Sequence, residues 1–231
     1  MRRVALVAAE SGDHSLAARR LRALLPALES ALELELFTDE AKNASQPWSI
    51  PVRPLAELAP RDFQQILYFL EDSEAHAFMV PMLRDLGGAV VLHDWNMGRL
   101  ARALRPALAR PGLAGRIAAW REGGLSAFKA FGRSGPLAAL ENLPLNRSVV
   151  RYADAFIVPD EAWRRPILEE RNAPTPVAVV SWDSTASAEA VASSAAEFIE
   201  CLQLLPTHRT NRKSLIRTAI DQADQAREER D

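Results

Sequence analysis

The stretch Ala89–Leu100, "AVVLHDWNMGRL", decides the fold. A short apolar, partly β-branched run follows the Gly87-Gly88 pair, stops at a histidine and an aspartate, and continues as an amphipathic helix. Such a run, bounded by glycine, reads as a strand buried on both faces. His93 and Asp94 then stand at its carboxyl end. In open parallel sheets ligands bind outside that end, because the loops there are free of packing duty and the following helix N-termini face the crevice.

Outward from this strand the pattern repeats. "RVALVAA" reads as a first strand and "HSLAARRLRALLPALES" as a helix with its arginines on the polar side. "LELELFT" alternates as a half-buried strand does, and a short strand is expected near Val52. "PLAELAPRDFQQ" reads as a short helix leading into the strand "ILYFL", and "SEAHAFMVPMLRDLGG" as a helix ending at its glycines. From Met97 to about Phe131 helical pieces are expected, broken at Pro111-Gly112 and Gly123-Gly124, and "GRSGPLAALENLPLN" is the least regular internal stretch. "RSVVRYA" reads as a helix, "DAFIVP" as a strand, "EAWRRPILEE" as a helix and "PVAVVS" as the last strand. This alternation implies right-handed crossovers and a mainly parallel sheet with helices on both faces, an α/β, Rossmann-like class.

That domain is expected over residues 1–183. A helix over 184–206, opened by Ser181, Asp183 or Ser184, would pack on it, and residues 207–231 form a charged tail with a narrow apolar stripe. With 48% hydrophobic and 25% charged residues and a net charge of −2, the 231-residue chain has the profile of an ordinary soluble protein. The near-neutral balance argues against nucleic-acid binding as its main business. No apolar run approaches the eighteen or so residues of a spanning helix, and the single cysteine, Cys201, excludes an intrachain disulfide framework or a cysteine-rich metal site. The cytoplasm is the expected compartment.

Several strand ends deliver polar groups to one edge of the expected sheet. The first ends in Ser11, Gly12 and Asp13, where glycine lets a ligand approach the backbone. This is neither a dinucleotide fingerprint nor a P-loop. The fourth ends in Glu71 and Asp72, with His76 just beyond, the next in His93 and Asp94, and a later one in Asp160. Asp72, Ser73, Asp94 and Asp160 are each open to a plainer reading as helix N-caps. His93 reads equally as a structural or a site histidine, and His76 could pack beside Phe78 and Met79. His14 and His208 read as surface residues. No metal-ligand spacing occurs, so no metal is expected, and the absence of a Gly-x-Ser-x-Gly elbow argues against a serine-histidine-acid hydrolase; no cofactor is expected. The arginines at 99, 102, 105, 110 and 116 read as a solvated face, or as a contact to an anionic substrate or a membrane surface.

The segments "DFQQILYFLEDSEAHAFMVPMLRDLGGAVVLHDWNMGRL" and "PLNRSVVRYADAFIVPDEAWRRPIL" together resemble the N-terminal half of retaining glycosyltransferases of the GT-B fold, a family with many members in bacterial polysaccharide synthesis. The resemblance runs from about Val4 to Ser181, and the Leu92-His93-Asp94 and Leu145-Asn146-Arg147 segments are its more specific parts. It implies an acceptor-binding domain bordering a cleft, with Ser11-Gly12-Asp13 lining it. His93 would sit beside the transferred sugar, stabilising charge at the anomeric carbon, and Asp94 would orient that histidine or cap the helix behind it.

Two departures qualify what is implied. Glu71-Asp72 stands where the family has Gly-Asn. After Ser181 there is no room for a donor domain, which needs more than about a hundred residues. "SWDSTASAEAVASSAAEFIECL" resembles the family's closing helix, kept while the donor domain is missing. The resemblance therefore implies an acceptor half that binds a glycan or glycolipid and needs a separate donor-domain protein, the isolated chain having little or no activity. The rival expectation is a non-catalytic adaptor on a degenerate transferase fold, favoured by Glu71-Asp72 and the charged tail. A third, an unrelated small-molecule enzyme using the same strand ends, ranks last.

Overall fold

The computed structural model describes residues 2–9, 15–39, 48–171, 175–180 and 188–204. Its first half runs β1 (Arg2–Val7), α1 (Leu16–Ala31), β2 (Leu32–Thr38), β3 (Val52–Pro54), β4 (Gln65–Leu70), α2 (Met79–Leu86) and β5 (Ala89–Leu92). Then follow α3 (Gly98–Leu104), α4 (Leu113–Asn142), α5 (Arg147–Tyr152), β6 (Ala155–Val158), α6 (Arg164–Arg171), β7 (Val177–Val179) and α7 (Ala188–Leu204). The strands form one sheet in the order β3-β2-β1-β4-β5-β6-β7, and every pairing is parallel. This is a Rossmann-like α/β fold. The strand order reverses between β1 and β4, which places the topological switch point at their carboxyl ends.

Burial explains the apolar runs. All six residues of β4, and all four of both β5 and β6, are buried, since helices cover both faces of the sheet. One face packs Leu6, Leu67, Phe69 and Val91 under Leu21, Leu25 and Leu28 of α1 and Phe198 and Leu202 of α7. The other packs Val7, Tyr68, Val90 and Phe156 under Met79 and Leu83 of α2, Val149 and Val150 of α5 and Ile167 of α6. The end of α7 is tied to the sheet. Its Leu202 carbonyl accepts from Arg2 Nη1 at 2.6 Å and from Gln65 Nε2 at 3.0 Å, a cation and an amide meeting the negative end of the helix dipole.

Two local expectations are corrected. "PLAELAPRDFQQ" does not form a continuous helix: it makes two 3-10 turns, Leu55–Glu57 and Pro60–Asp62, with Leu58 and Ala59 extended between them. Pro60 is the cause, because a proline pushes the residue before it out of helical conformation. "GRSGPLAALENLPLN", expected to be irregular, is helical as far as Asn142. Gly135, at φ 80°, turns the chain, and Pro136 restarts the helix in its first turn, where a missing N–H leaves no bond unmade. The break expected at Gly123-Gly124 is a kink at Gly124, at φ 70°. Ser181, Asp183, Ser184 and the tail 207–231 lie outside the described residues.

Between β5 and α5 the chain forms a helical lobe with a core of its own. It is built on Ala101, Ala118, Ala119, Ala127 and Ala139, with Leu108, Phe131 and Leu145. Glu122, 1% exposed, pairs with Arg105 and accepts from Ser148 Oγ at 2.8 Å, fixing the lobe to the start of α5.

Phe198 is fully buried against the sheet and near Phe69, with ring centroids 6.2 Å apart. Phe198→Ala is expected to lower the unfolding free energy by about 3–5 kcal/mol. Urea denaturation measures this, and a loss below about 1 kcal/mol would mean that α7 is not docked in solution.

Candidate functional site

The polar groups at the switch point are laced together by bonds to backbone N–H groups. Ser15 caps α1, its Oγ accepting from Ala18 N at 3.0 Å, while Glu71, arriving from the end of β4, accepts from Ala17 N at 2.9 Å. Both fill positions that a helix start leaves open. Asp72 turns to the other side and caps α3 from a distance. Its Oδ1 accepts from Arg99 N at 2.7 Å and Leu100 N at 3.0 Å. Asp94 Oδ2 in turn accepts from Asp72 N at 2.9 Å, closing a loop between the ends of β4 and β5.

His93 extends the pairing of β5, its N–H bonded to the Leu70 carbonyl at 2.9 Å. Its ring stacks near Phe69, centroids 6.0 Å apart, and its Nδ1 lies 2.9 Å from Arg20 Nη1. A guanidinium can only donate, so Nδ1 is the acceptor and the neutral ring carries its proton on Nε2. Burial, then Arg20, then His76 hold this imidazole well below the ordinary histidine value. His76 is fully buried, and neither of its ring nitrogens has a hydrogen-bond partner among the described residues. Its pKa is also lowered by burial, opposed by the charges of Glu71, Asp39 and Asp94. Burial raises the Asp72 carboxyl, against the pull of its two N–H bonds.

The structure thus gathers Glu71, Asp72, His76, His93 and Asp94 at one edge of the sheet. Asp160 is engaged elsewhere, its Oδ1 accepting from Ala162 N at 2.8 Å at the start of the 3-10 turn Glu161–Trp163. Ser11, Gly12 and Asp13 lie outside the described residues. Beside Asp72 an open groove of about 380 Å³ runs between α3 and the end of α4, lined by Asn96, Arg99, Arg102, Leu137 and Glu141 among others. Its wall is close-packed: a Cβ on Gly98 would lie 1.9 Å from the Leu140 carbonyl oxygen.

Four further side chains contribute to this edge of the sheet. Arg20 sits among surface-like arginines, and nothing local marks it as the partner of His93. Trp95 and Trp163 meet with ring centroids 5.7 Å apart, and their one signal is an aromatic residue shortly after each of two strand ends. Asn146 donates to the Trp95 carbonyl at 2.8 Å, and Met97 N–H to the Pro144 carbonyl at 2.6 Å. Leu145 between them holds φ 45°, the one non-glycine residue at positive φ among those described. That conformation costs about 1–3 kcal/mol and is kept by the bonds on either side.

Among the described residues no group of three or more His, Cys, Asp or Glu could hold a metal ion. Fold and site define a doubly wound α/β domain with a polar crevice at its switch point. Compared with models of known protein families and with curated proteins, the chain matches none.

The two depressed histidines set a pH dependence. In the unfolded chain they titrate near 6.5, whereas the fold keeps them neutral, so the unfolded state binds more protons below that pH. Stability is expected to be full above about pH 6.5 and to fall as pH drops through the window beneath it. Asp72 has the opposite sign, losing stabilisation as pH rises from 3.8 through its raised value. Urea midpoints against pH should show the decline, and the double variant His76→Gln, His93→Asn should flatten it. An equally steep decline in the double variant would assign it to other groups.

Proposed function

We propose that this chain is the acceptor-side half of a GT-B-type glycosyltransferase, binding a glycan or glycolipid and relying on a separate chain for the nucleotide sugar. The observation that carries this reading is the neutral, Arg20-oriented His93 at the end of β5, beside the switch-point crevice. A retaining transfer develops positive charge at the anomeric carbon. An uncharged imidazole with a defined tautomer, its backbone carbonyl and the Asp94 carboxylate suit that charge better than an imidazolium would.

The engaged carboxylates account for the need of a partner. Glu71, Asp72 and Asp94 each accept a backbone N–H, so none is held ready as a general acid or base for hydrolysis by the chain alone. The groove beside Asp72, with Asn96, Arg99 and Arg102, supplies donors for hydroxyls or for a phosphate on the acceptor. Trp95 and Trp163 offer aromatic faces at the same edge of the sheet.

The test is capture of partners by the full chain, followed by a transfer assay on the purified complex with nucleotide hexoses as donors. The expected result is a partner carrying a nucleotide-sugar domain, with transfer lowered about a hundredfold by His93→Ala while the complex stays assembled. A stable complex without transfer, or transfer indifferent to His93, would overturn this reading. It would leave the adaptor alternative, which the occupation of the α1 N-terminus by Glu71 favours.

A further inference from the structure

The lobe between β5 and α5 inverts the usual arrangement of a small core. Its interior is mostly alanine, with Leu108, Phe131 and Leu145, while five large apolar side chains of α4 face outwards. Seven large apolar residues are exposed among those described, and five of them, Leu113, Ile117, Trp120, Leu125 and Leu137, belong to α4. The kink at Gly124 sets two limbs of α4 beside each other, so that Ile117, Trp120, Leu125 and Phe128 line one shallow hollow.

Charge is concentrated in the same place. Between β5 and α5, residues 93–146, the sequence holds eight cationic side chains and three carboxylates, a net of five positive charges in a chain whose total is −2. Of the three, Glu122 is buried and paired with Arg105, Asp94 accepts from Asp72 N, and Glu141 lines the groove beside Asp72, away from the hollow. Arg116 lies 4.2 Å above the Phe128 ring, and Arg121 and Lys129 are exposed on the two limbs. Cations and apolar groups are therefore interleaved at the hollow.

We propose that this part of α4 is a docking surface for an anionic lipid bilayer. Leucine, tryptophan and phenylalanine flanked by arginine and lysine are what a helix lying in a membrane interface presents, the apolar groups entering the acyl boundary and the cations meeting headgroup phosphates. Tryptophan in particular settles at that interface. The docking is peripheral, since no helix among the described residues is long and apolar enough to cross a membrane. Two other occupants fit less well. A symmetric contact with a second copy would bring two strongly positive surfaces together. Nucleic acid would use the cations and the aromatic rings but would leave Leu113, Ile117 and Leu125 in water. The inference stands on this surface alone and does not rest on the transfer reading.

The experiment is co-sedimentation of the full chain with vesicles of phosphatidylcholine, with and without phosphatidylglycerol. Binding is expected only with phosphatidylglycerol and should weaken as salt is added. The exposed double variants Trp120→Ser with Leu125→Ser, and Arg121→Glu with Lys129→Glu, should each lower partitioning about tenfold or more, with circular dichroism unchanged. Leu168→Ser, an exposed leucine on α6 outside the lobe, should bind as the unaltered chain does. The proposal is overturned by absence of binding to phosphatidylglycerol vesicles, or by binding that both double variants retain. It is equally overturned if the surface proves to be a self-contact, seen in sedimentation velocity as a dimer that the Trp120 and Leu125 changes dissolve. Preferential retention by a DNA oligonucleotide, indifferent to those two changes, would also overturn it.

Discussion

A parallel sheet has no face to leave in water, and this one meets that constraint with helices drawn from distant parts of the chain. Tyr68 and Phe69, neighbours on β4, point to opposite faces, and both are fully buried. Covering the first takes α2, α5 and α6. Covering the second takes α1 together with α7, which returns from the far end of the described chain to lay Phe198 near Phe69. Because both faces are closed, side chains at the carboxyl ends of the strands are the ones left to meet a ligand.

At that edge the central electrostatic problem is the start of each helix. Backbone N–H groups there need acceptors, and α1 and α3 both find them in carboxylates from the end of β4. Two consecutive residues just past β4, Glu71 and Asp72, thus serve opposite sides of the sheet. Asp94 supports Asp72, and the strained Leu145 segment holds the loop that follows. Around His93, consequently, the acids are committed to backbone N–H groups.

The parts of this arrangement that could be read from the sequence are those written locally. Continuous apolar runs at "ILYFL", "AVVLHD" and "DAFIVP" follow directly from burial on both faces, so β4, β5 and β6 were legible, as was the amphipathic α1. The gathering of Glu71, Asp72, His76, His93 and Asp94 followed from the parallel topology. What each of them does was not legible, because a carboxylate after a strand looks the same whether it caps a helix or faces a ligand. The capping of α3 by Asp72 spans 27 residues, and the contact of Arg20 with His93 spans 73. Neither leaves a local signature. Gly135-Pro136 carries no local signature of its role either, since the same pair can end a helix or restart one.

The bond from Ala17 N to Glu71 makes the chain a ligand to itself. The N-terminus of α1, at the switch point, is the position where folds of this topology commonly receive a phosphate. Here a carboxylate attached to the same molecule already occupies part of it, and a tethered group acts at an effective concentration that dissolved anions do not reach. A phosphate approaching that N–H would have to compete with Glu71 and meet its negative charge at close range, a repulsion that an uncharged hydroxyl would not meet. The residue that closes the helix thereby places a negative charge at the very place where a parallel sheet would otherwise present only N–H groups to an anion.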